Sequence, residues 1–287
     1  MAIPGLTLIG ETINDSVPGT KELFDRGDLE GVKQLAIDQV AGGARAIDVN
    51  VGRRGPDFMA TAVKRVQEGV AVPLSIDSPD LAYLAAGVAA YDPVRGGGKA
   101  VINSLSAMRI EGLELVRKKP CRVILLVTER RGGGEGKPCA TAEEEHETAR
   151  ELFDRATKVG LTADDIIFDP GIMPIGADTE GRLRRTLETL RLIHEDPALA
   201  GCHASVGLSN FTVMLPKKRA NGKPIRSSLE SAFLTLAMPL GLDTIIGSVK
   251  RQYELLPDGD DAVECLRSIL LLEGFESIAR LDRFCRG

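Results

Sequence analysis

The chain has 287 residues, 43% hydrophobic and 27% charged, the composition of an ordinary globular protein with ample core. A formal net charge of −5, with no Trp, three Tyr and eight Phe, excludes a general nucleic-acid binder, because phosphates want a basic face and bases want aromatic platforms. Five dispersed cysteines (Cys121, Cys139, Cys202, Cys265, Cys285), with no C-x-x-C pair, fit reduced thiols rather than a disulfide framework or a zinc site.

The opening residues, MAIPGLTLIGETIN, lack the charged and then long apolar pattern of a signal peptide. No run approaches the roughly 18 apolar residues of a membrane span. A cytoplasmic protein is expected.

Taken in order, residues 6–10 form a short apolar run closing on Glu11-Thr-Ile-Asn14. Asp28 can cap a helix whose apolar positions Leu29, Val32, Leu35, Ala36 and Val40 fall at helical spacing, and Gly42-Gly43 stops it. The second strand, residues 44–50, places Asp48 and Asn50 on one side by its period of two. Residues 56–69 read as a helix, 73–77 as a strand ending in Asp77, and 81–90 as an Ala/Leu-rich helix. A Gly-rich connector then enters a fourth strand, 100–103, which closes on Asn103. A short helix (109–118) precedes the fully apolar strand 122–128, ending at Thr128. After a longer loop, 129–139, a helix begins with Glu143, Glu144 and Glu145, anions that suit its dipole, and stops at Gly160. Strand 165–169 ends in Asp169, helix 179–194 follows, and strand 203–208 leads into Gly207-Leu-Ser-Asn210. A helix over 227–240, a strand over 243–247 and a last helix over 262–279 complete the chain.

Eight strands each followed by a helix imply a parallel sheet, and eight such units close into a (β/α)8 TIM barrel spanning 1–287 as one domain. An open doubly wound sheet is the alternative. Active sites of such barrels stand at the C-terminal strand ends. Here those ends carry Glu11 and Asn14, Asp48 and Asn50, Asp77, Asn103, Thr128, Asp169, and Ser209 with Asn210. Any one of them alone is an ordinary turn or cap residue. Together they converge on a mouth about 15 Å across.

The residue types narrow the chemistry. With no His, Cys or Lys at a strand end, the mouth suits neither a nucleophile–His pair nor zinc. Carboxylates and amides suit a flat neutral heterocycle with an amidine-like edge, whose N–H groups they accept. A magnesium site built from several Asp is the alternative. Gly132-Gly-Gly-Glu-Gly136-Lys137 lacks the spacing and context of a phosphate loop and reads as a mobile loop beside the mouth. Lys217-Lys218-Arg219, just past Asn210, reads as a solvated loop, or as a greeting for an anionic tail or acidic partner.

These segments resemble the pterin-binding barrel family over nearly the whole chain, and within it the methyltetrahydrofolate:corrinoid protein methyltransferases. The match lies in Gly10-Glu-Thr-Ile-Asn14, Gly43-Ala-Arg-Ala-Ile-Asp48-Val-Asn50, Asp77-Ser78, Ile102-Asn103-Ser104, Asp169-Pro170 and Gly207-Leu-Ser-Asn210. The resemblance implies that Asp77, Asn103 and Asp169 hydrogen-bond a pterin ring. It also implies that Glu11, Asn14, Asp48, Asn50, Gly207 and Ser209 line its site, and that Asn210 approaches the methyl-bearing nitrogen. It implies tetrahydrofolate or 5-methyltetrahydrofolate as substrate, a corrinoid protein or free cobalamin as methyl partner, no resident metal, and a homodimer.

Dihydropteroate synthase, the rival within the fold, has Lys and Arg after its Gly-x-Ser and an Arg-x-His near strand eight. Here Asn210-Phe-Thr212 and Gly247-Ser-Val249 stand instead. One departure from the methyltransferase pattern is the basic stretch Lys217, Lys218, Arg219, Lys223 and Arg226. A non-catalytic folate-binding subunit is the alternative from another class.

Overall fold

The computed structural model describes residues 3–132 and 135–287. Eight parallel strands close into a barrel: β1 (Thr7–Asn14), β2 (Ala46–Asn50), β3 (Leu74–Asp77), β4 (Ala100–Ser106), β5 (Cys121–Leu126), β8 (Ile166–Asp169), β9 (His203–Gly207) and β10 (Thr244–Gly247). β1 pairs with both β2 and β10, so the ring has no free edge. The (β/α)8 expectation holds, and the open sheet does not.

Around the barrel run α1 (Pro18–Asp25), α2 (Leu29–Ala41), α3 (Pro56–Gln67), α4 (Leu81–Ala90), α5 (Glu114–Lys118), α6 (Ala142–Lys158) and α7 (Arg182–Glu195). They are followed by α8 (Leu208–Phe211), α9 (Arg226–Ala237), α10 (Asp261–Leu270) and α11 (Phe275–Arg286). Local chemistry sets their starts. Asp28 accepts from the Gly31 N–H at 2.9 Å, Asp80 and Asp260 accept from Ala82 and Ala262, and Thr141 opens α6. Gly43, at φ 104°, makes the left-handed turn that feeds β2.

Helix α1 has no counterpart in the sequence reading, and four further features differ from it. β1 continues through Glu11 to Asn14, since its register with β2 shifts after Gly10 and resumes at Ile13. The loop 129–139 is an antiparallel hairpin, β6 (Glu129–Gly132) with β7 (Glu135–Pro138), held by backbone pairing from Glu129 with Pro138 to Gly132 with Glu135, while Arg130 pairs with Glu144 on α6. Gly133 and Gly134, at the tip of the Gly-rich segment, lie outside the described residues. The last helix is two, broken where Gly274 turns at φ 55°. The stretch 109–118 is divided between the end of a 3-10 segment, Ala107–Leu113, and α5.

The apolar core lies mainly between strands and helices, from Ile13, Ile47, Ile76 and Ile102 on one side to Phe211, Phe233 and Ile245 on the other. Inside the barrel Val101, Ile124 and Ile167 form a small separate layer, with Ile246 against it. Strand alternation puts the next inward residues, two positions on, at the mouth: Asn103, Leu126 and Asp169. An apolar plug therefore sits directly beneath a polar ring.

Candidate active site

The C-terminal mouth holds a cavity of about 480 Å³, within the ~300–1,000 Å³ range of small-molecule pockets. Glu11, Asn14, Asp48, Asp77, Asn103, Asp169, Gly207, Ser209 and Asn210 all line it, with Leu126 and Ile246 as its apolar floor. Parallel register explains the convergence. Asp77 stands beside Asn103, Leu126 beside Asp169, and Gly207 beside Ile246. Two expected residues lie outside the cavity: Thr128 lines a neighbouring one with Pro170 and Arg182, and Asn50 turns away. Its amide turns to donate to Asp77 Oδ2 at 2.8 Å, while its own oxygen accepts from the Gly52 N–H.

Sequence reasoning missed the supports beneath this ring. Ser75 donates to Asp48 Oδ1 at 2.6 Å and Asn103 to the same oxygen at 3.0 Å. Ser205 stands 3.3 Å from Asp169 Oδ2, and the Gly171 N–H donates to Oδ1 at 2.7 Å. The signal was available: Ser75 lies two positions before Asp77 on the same strand face, and Ser205 two before Gly207.

Burial governs the charge of the ring. Asp48 and Asp77 sit against each other, and desolvation followed by their mutual repulsion lifts Asp48 well above the usual carboxylate range. Desolvation lifts Asp77 too, opposed by the Asn50 amide and by Asp48. The pair therefore carries a proton at pH values where isolated aspartates would not. Burial also pushes Asp169 up to about 6, against the Gly171 and Ser205 donors. Glu11 is raised by burial and eased by the Ser209 hydroxyl, which donates to its Oε2 at 2.7 Å. The site thus offers acceptors and exchangeable protons side by side.

Asn210 stands apart. It lies on α8, the single helical turn that follows β9, and is exposed to the mouth. Among the described residues its side-chain amide makes no hydrogen bond. The amide folds back over Gly207, so that a Cβ at 207 would lie 2.9 Å from Asn210 Nδ2. It is an uncommitted donor above a polar cavity.

A family model for pterin binding enzymes matches residues 20–247, most of the chain. The chain belongs to the pterin-binding enzyme family. Within that family it is similar to the methylcorrinoid:tetrahydrofolate methyltransferase of Eubacterium limosum, 27% identical over 255 residues that cover 84% of each chain. It is also 27% identical, over 253 residues, to methionine synthase of Mycobacterium tuberculosis, covering 83% of this chain and 20% of that one. Among solved structures it resembles the dihydropteroate synthase of Xanthomonas albilineans, with TM-score 0.62 and 18% identity over 95% of this chain and 96% of that one. The Burkholderia cenocepacia dihydropteroate synthase gives TM-score 0.60 and 17% identity over 94% and 93%. Those likenesses speak to the family's barrel alone.

The basic stretch past Asn210 divides. Lys217, Lys218 and Lys223 are exposed on a tight hairpin, in which Arg219 N bonds Lys223 O and Ile225 N bonds Lys217 O. Arg219 instead turns inward, over the Phe284 ring at 3.6 Å and paired with Asp261, and Arg226 donates to Leu215 O. No helix among the described residues is long and apolar enough to cross a membrane.

Proposed function

We propose that this chain moves a methyl group between N5 of tetrahydrofolate and the cobalt of a corrinoid, presented by a partner protein or as free cobalamin. The observation that carries the reading is the uncommitted Asn210 amide over a cavity ringed by Asp48, Asp77, Asn103 and Asp169. The family supplies the pterin, and the methyltransferase relatives make methyl transfer the favoured reaction over pterin condensation.

In this reading the pyrimidine edge of the pterin points into the ring. Its N–H groups donate to carboxylate oxygens of Asp77 and Asp169, and the Asn103 amide completes the set. Asp48, held by Ser75 and Asn103, keeps Asp77 in place and shares its proton. Gly207 leaves room for the Asn210 amide, while Glu11, Asn14 and Ser209 frame the opening and Asn50 holds Asp77 from behind.

A methyl on a tertiary amine leaves poorly, because the departing nitrogen must keep the electron pair of the C–N bond. In the forward direction the methyl passes to a reduced cobalt(I), whose electron pair forms the new cobalt–carbon bond. The C–N pair stays on N5 and takes up a proton from solvent. Asn210 donates its amide N–H to N5 as that charge develops, help that grows toward the transition state. The reverse transfer uses the same groups. Exposed Val213 lines the mouth on the side of Asn210, an apolar surface that suits a corrinoid coming from solvent.

The test is direct. Purified protein mixed with 5-methyltetrahydrofolate and cobalt(I) cobalamin should convert the corrin spectrum to that of methylcobalamin, and methylcobalamin with tetrahydrofolate should run it back. Folate binding with no conversion in either direction would leave a folate-binding subunit. Condensation of a pterin pyrophosphate with 4-aminobenzoate would turn the assignment to the synthase.

A further inference from the structure

Asn210 sits on one helical turn, and an isolated turn has little capacity to hold its own geometry. Ser209 on that turn and Thr212 at its end are fastened from opposite sides. Ser209 donates to Glu11 Oε2 at 2.7 Å, and the fully buried Thr212 donates to Oε1 of the fully buried Glu230 on α9. Glu11 belongs to β1, so the turn is stretched between the first strand and a late helix.

Glu230 also feels Arg226, but the cation common to both carboxylates is Arg251. Its Nε lies 3.2 Å from Glu230 Oε2, at ion-pair distance though not aligned as a hydrogen bond, and its charge also acts on Glu11. Arg251 follows β10 on a segment that is itself tied down. Arg251 N bonds Ser248 O, and Ser248 N donates to the Tyr253 hydroxyl at 3.1 Å. Glu254 N bonds Ser231 Oγ at 3.2 Å, and Leu256 N bonds Thr235 Oγ1 at 2.9 Å, both on α9. The other ionisable groups facing this cluster are Arg226 on α9 and Tyr253.

The chemistry gives the cation a specific task. An ionised carboxylate is an acceptor only, so a hydroxyl beside it must donate and its orientation is fixed. A protonated carboxyl can donate as well, and the hydroxyl is then free to turn. Burial favours the protonated form, and burial dominates at both Glu11 and Glu230. Arg251 opposes it at both.

We propose that Arg251 is a positioning residue: paired with Glu230, and with its charge bearing on Glu11, it favours both carboxylates as acceptors for Thr212 and Ser209, and so steadies the turn that holds the Asn210 amide over the pocket. The inference rests on the role given to Asn210 above. It requires no contact between Arg251 and any substrate.

The experiment follows the Asn210 side-chain amide by ¹⁵N–¹H correlation spectroscopy of the full chain, its peak identified by its loss in Asn210→Ala. Arg251→Gln should shift or broaden that peak and lower kcat about tenfold with folate affinity unchanged, and Arg251→Lys should restore both. A folded Arg251→Gln protein whose Asn210 peak stays in place overturns the proposal, as does equal loss of kcat and folate affinity. Should Arg251→Gln fail to fold, Thr212→Val removes only one pin and must move the same peak; an unmoved peak there also overturns it. A moved peak in a protein that transfers no methyl at all leaves the pinning intact and refutes the reaction instead.

Discussion

Gly207→Ala isolates the contribution of Asn210 without touching it. Gly207 has φ −77°, which alanine adopts freely, so the backbone has no reason to move. The added Cβ would lie 2.9 Å from Asn210 Nδ2, whereas ordinary van der Waals contact begins near 3.4 Å, so the amide must retreat by at least half an ångström. Nothing else at Gly207 comes as close; the next neighbour is the Asn210 Cγ itself at 3.9 Å. The obstacle is the free end of an exposed side chain, so the fold should lose less than about 0.5 kcal/mol. Misplacing a reacting group by about 1 Å costs roughly 100-fold in rate, which sets an expected loss of about 10- to 100-fold in kcat. Stopped-flow absorbance of the corrin measures the single-turnover rate, and titration calorimetry measures folate affinity. Unchanged rate, or rate and affinity lost together, would refute the claim that the amide acts from this position.

Asn210→Ala should retain folate binding while methyl transfer falls roughly 10²–10³-fold, the usual cost of one transition-state donor; proportionate loss of binding would make Asn210 a contact only. Asp169, held up to about 6 by burial, must ionise to accept ring N–H groups. Below that value binding has to displace its proton, so pterin affinity should weaken as pH falls from 7 to 5 and level off above about 6, with Asp169→Asn abolishing that dependence in calorimetry. The same raised value makes the ionised carboxylate a burden on the fold. The unfolded chain ionises first as pH rises from about 4, so Asp169→Asn should gain stability relative to the wild type between pH 4 and 6, and match it below; parallel thermal melts would read this. Gly10→Ala drives a Cβ to 2.6 Å from Gln39 Oε1, the acceptor for Thr12 N, and to 3.2 Å from the Ala44 Cβ. Chemical denaturation should show roughly 1–3 kcal/mol lost, and an unaltered midpoint would mean that α2 shifts away freely.

The sequence by itself determined the barrel and the identity of its rim. Both are written in local patterns: apolar runs alternating with helical spacing, and an acid or amide at the end of nearly every strand. A strand's period of two is set by positions i and i+2, so Asp48, Asp77, Asn103 and Asp169 could be placed on the inner face from their neighbours alone. Only the tertiary structure decided what those residues do to one another. Asn50 shares the face of Asp48 but spends its amide on Asp77, because the register of β2 against β3 brings them together. That Asp48 and Asp77 are both lifted above the usual carboxylate range depends on burial, which no local pattern encodes. The hairpin of β6 and β7 was hidden because its strands are short, charged and glycine-rich. Glu230 and Arg251 were hidden for another reason. They matter through Thr212 and Glu11, partners far along the chain, and each alone looks like an ordinary charge on a helix or loop. Even Arg219, which seemed one more exposed cation beyond Asn210, is drawn inward by Phe284 and Asp261, brought to it by the closing helices of the chain. Position on a strand is local physics; charge and engagement are set by whatever the fold packs against it.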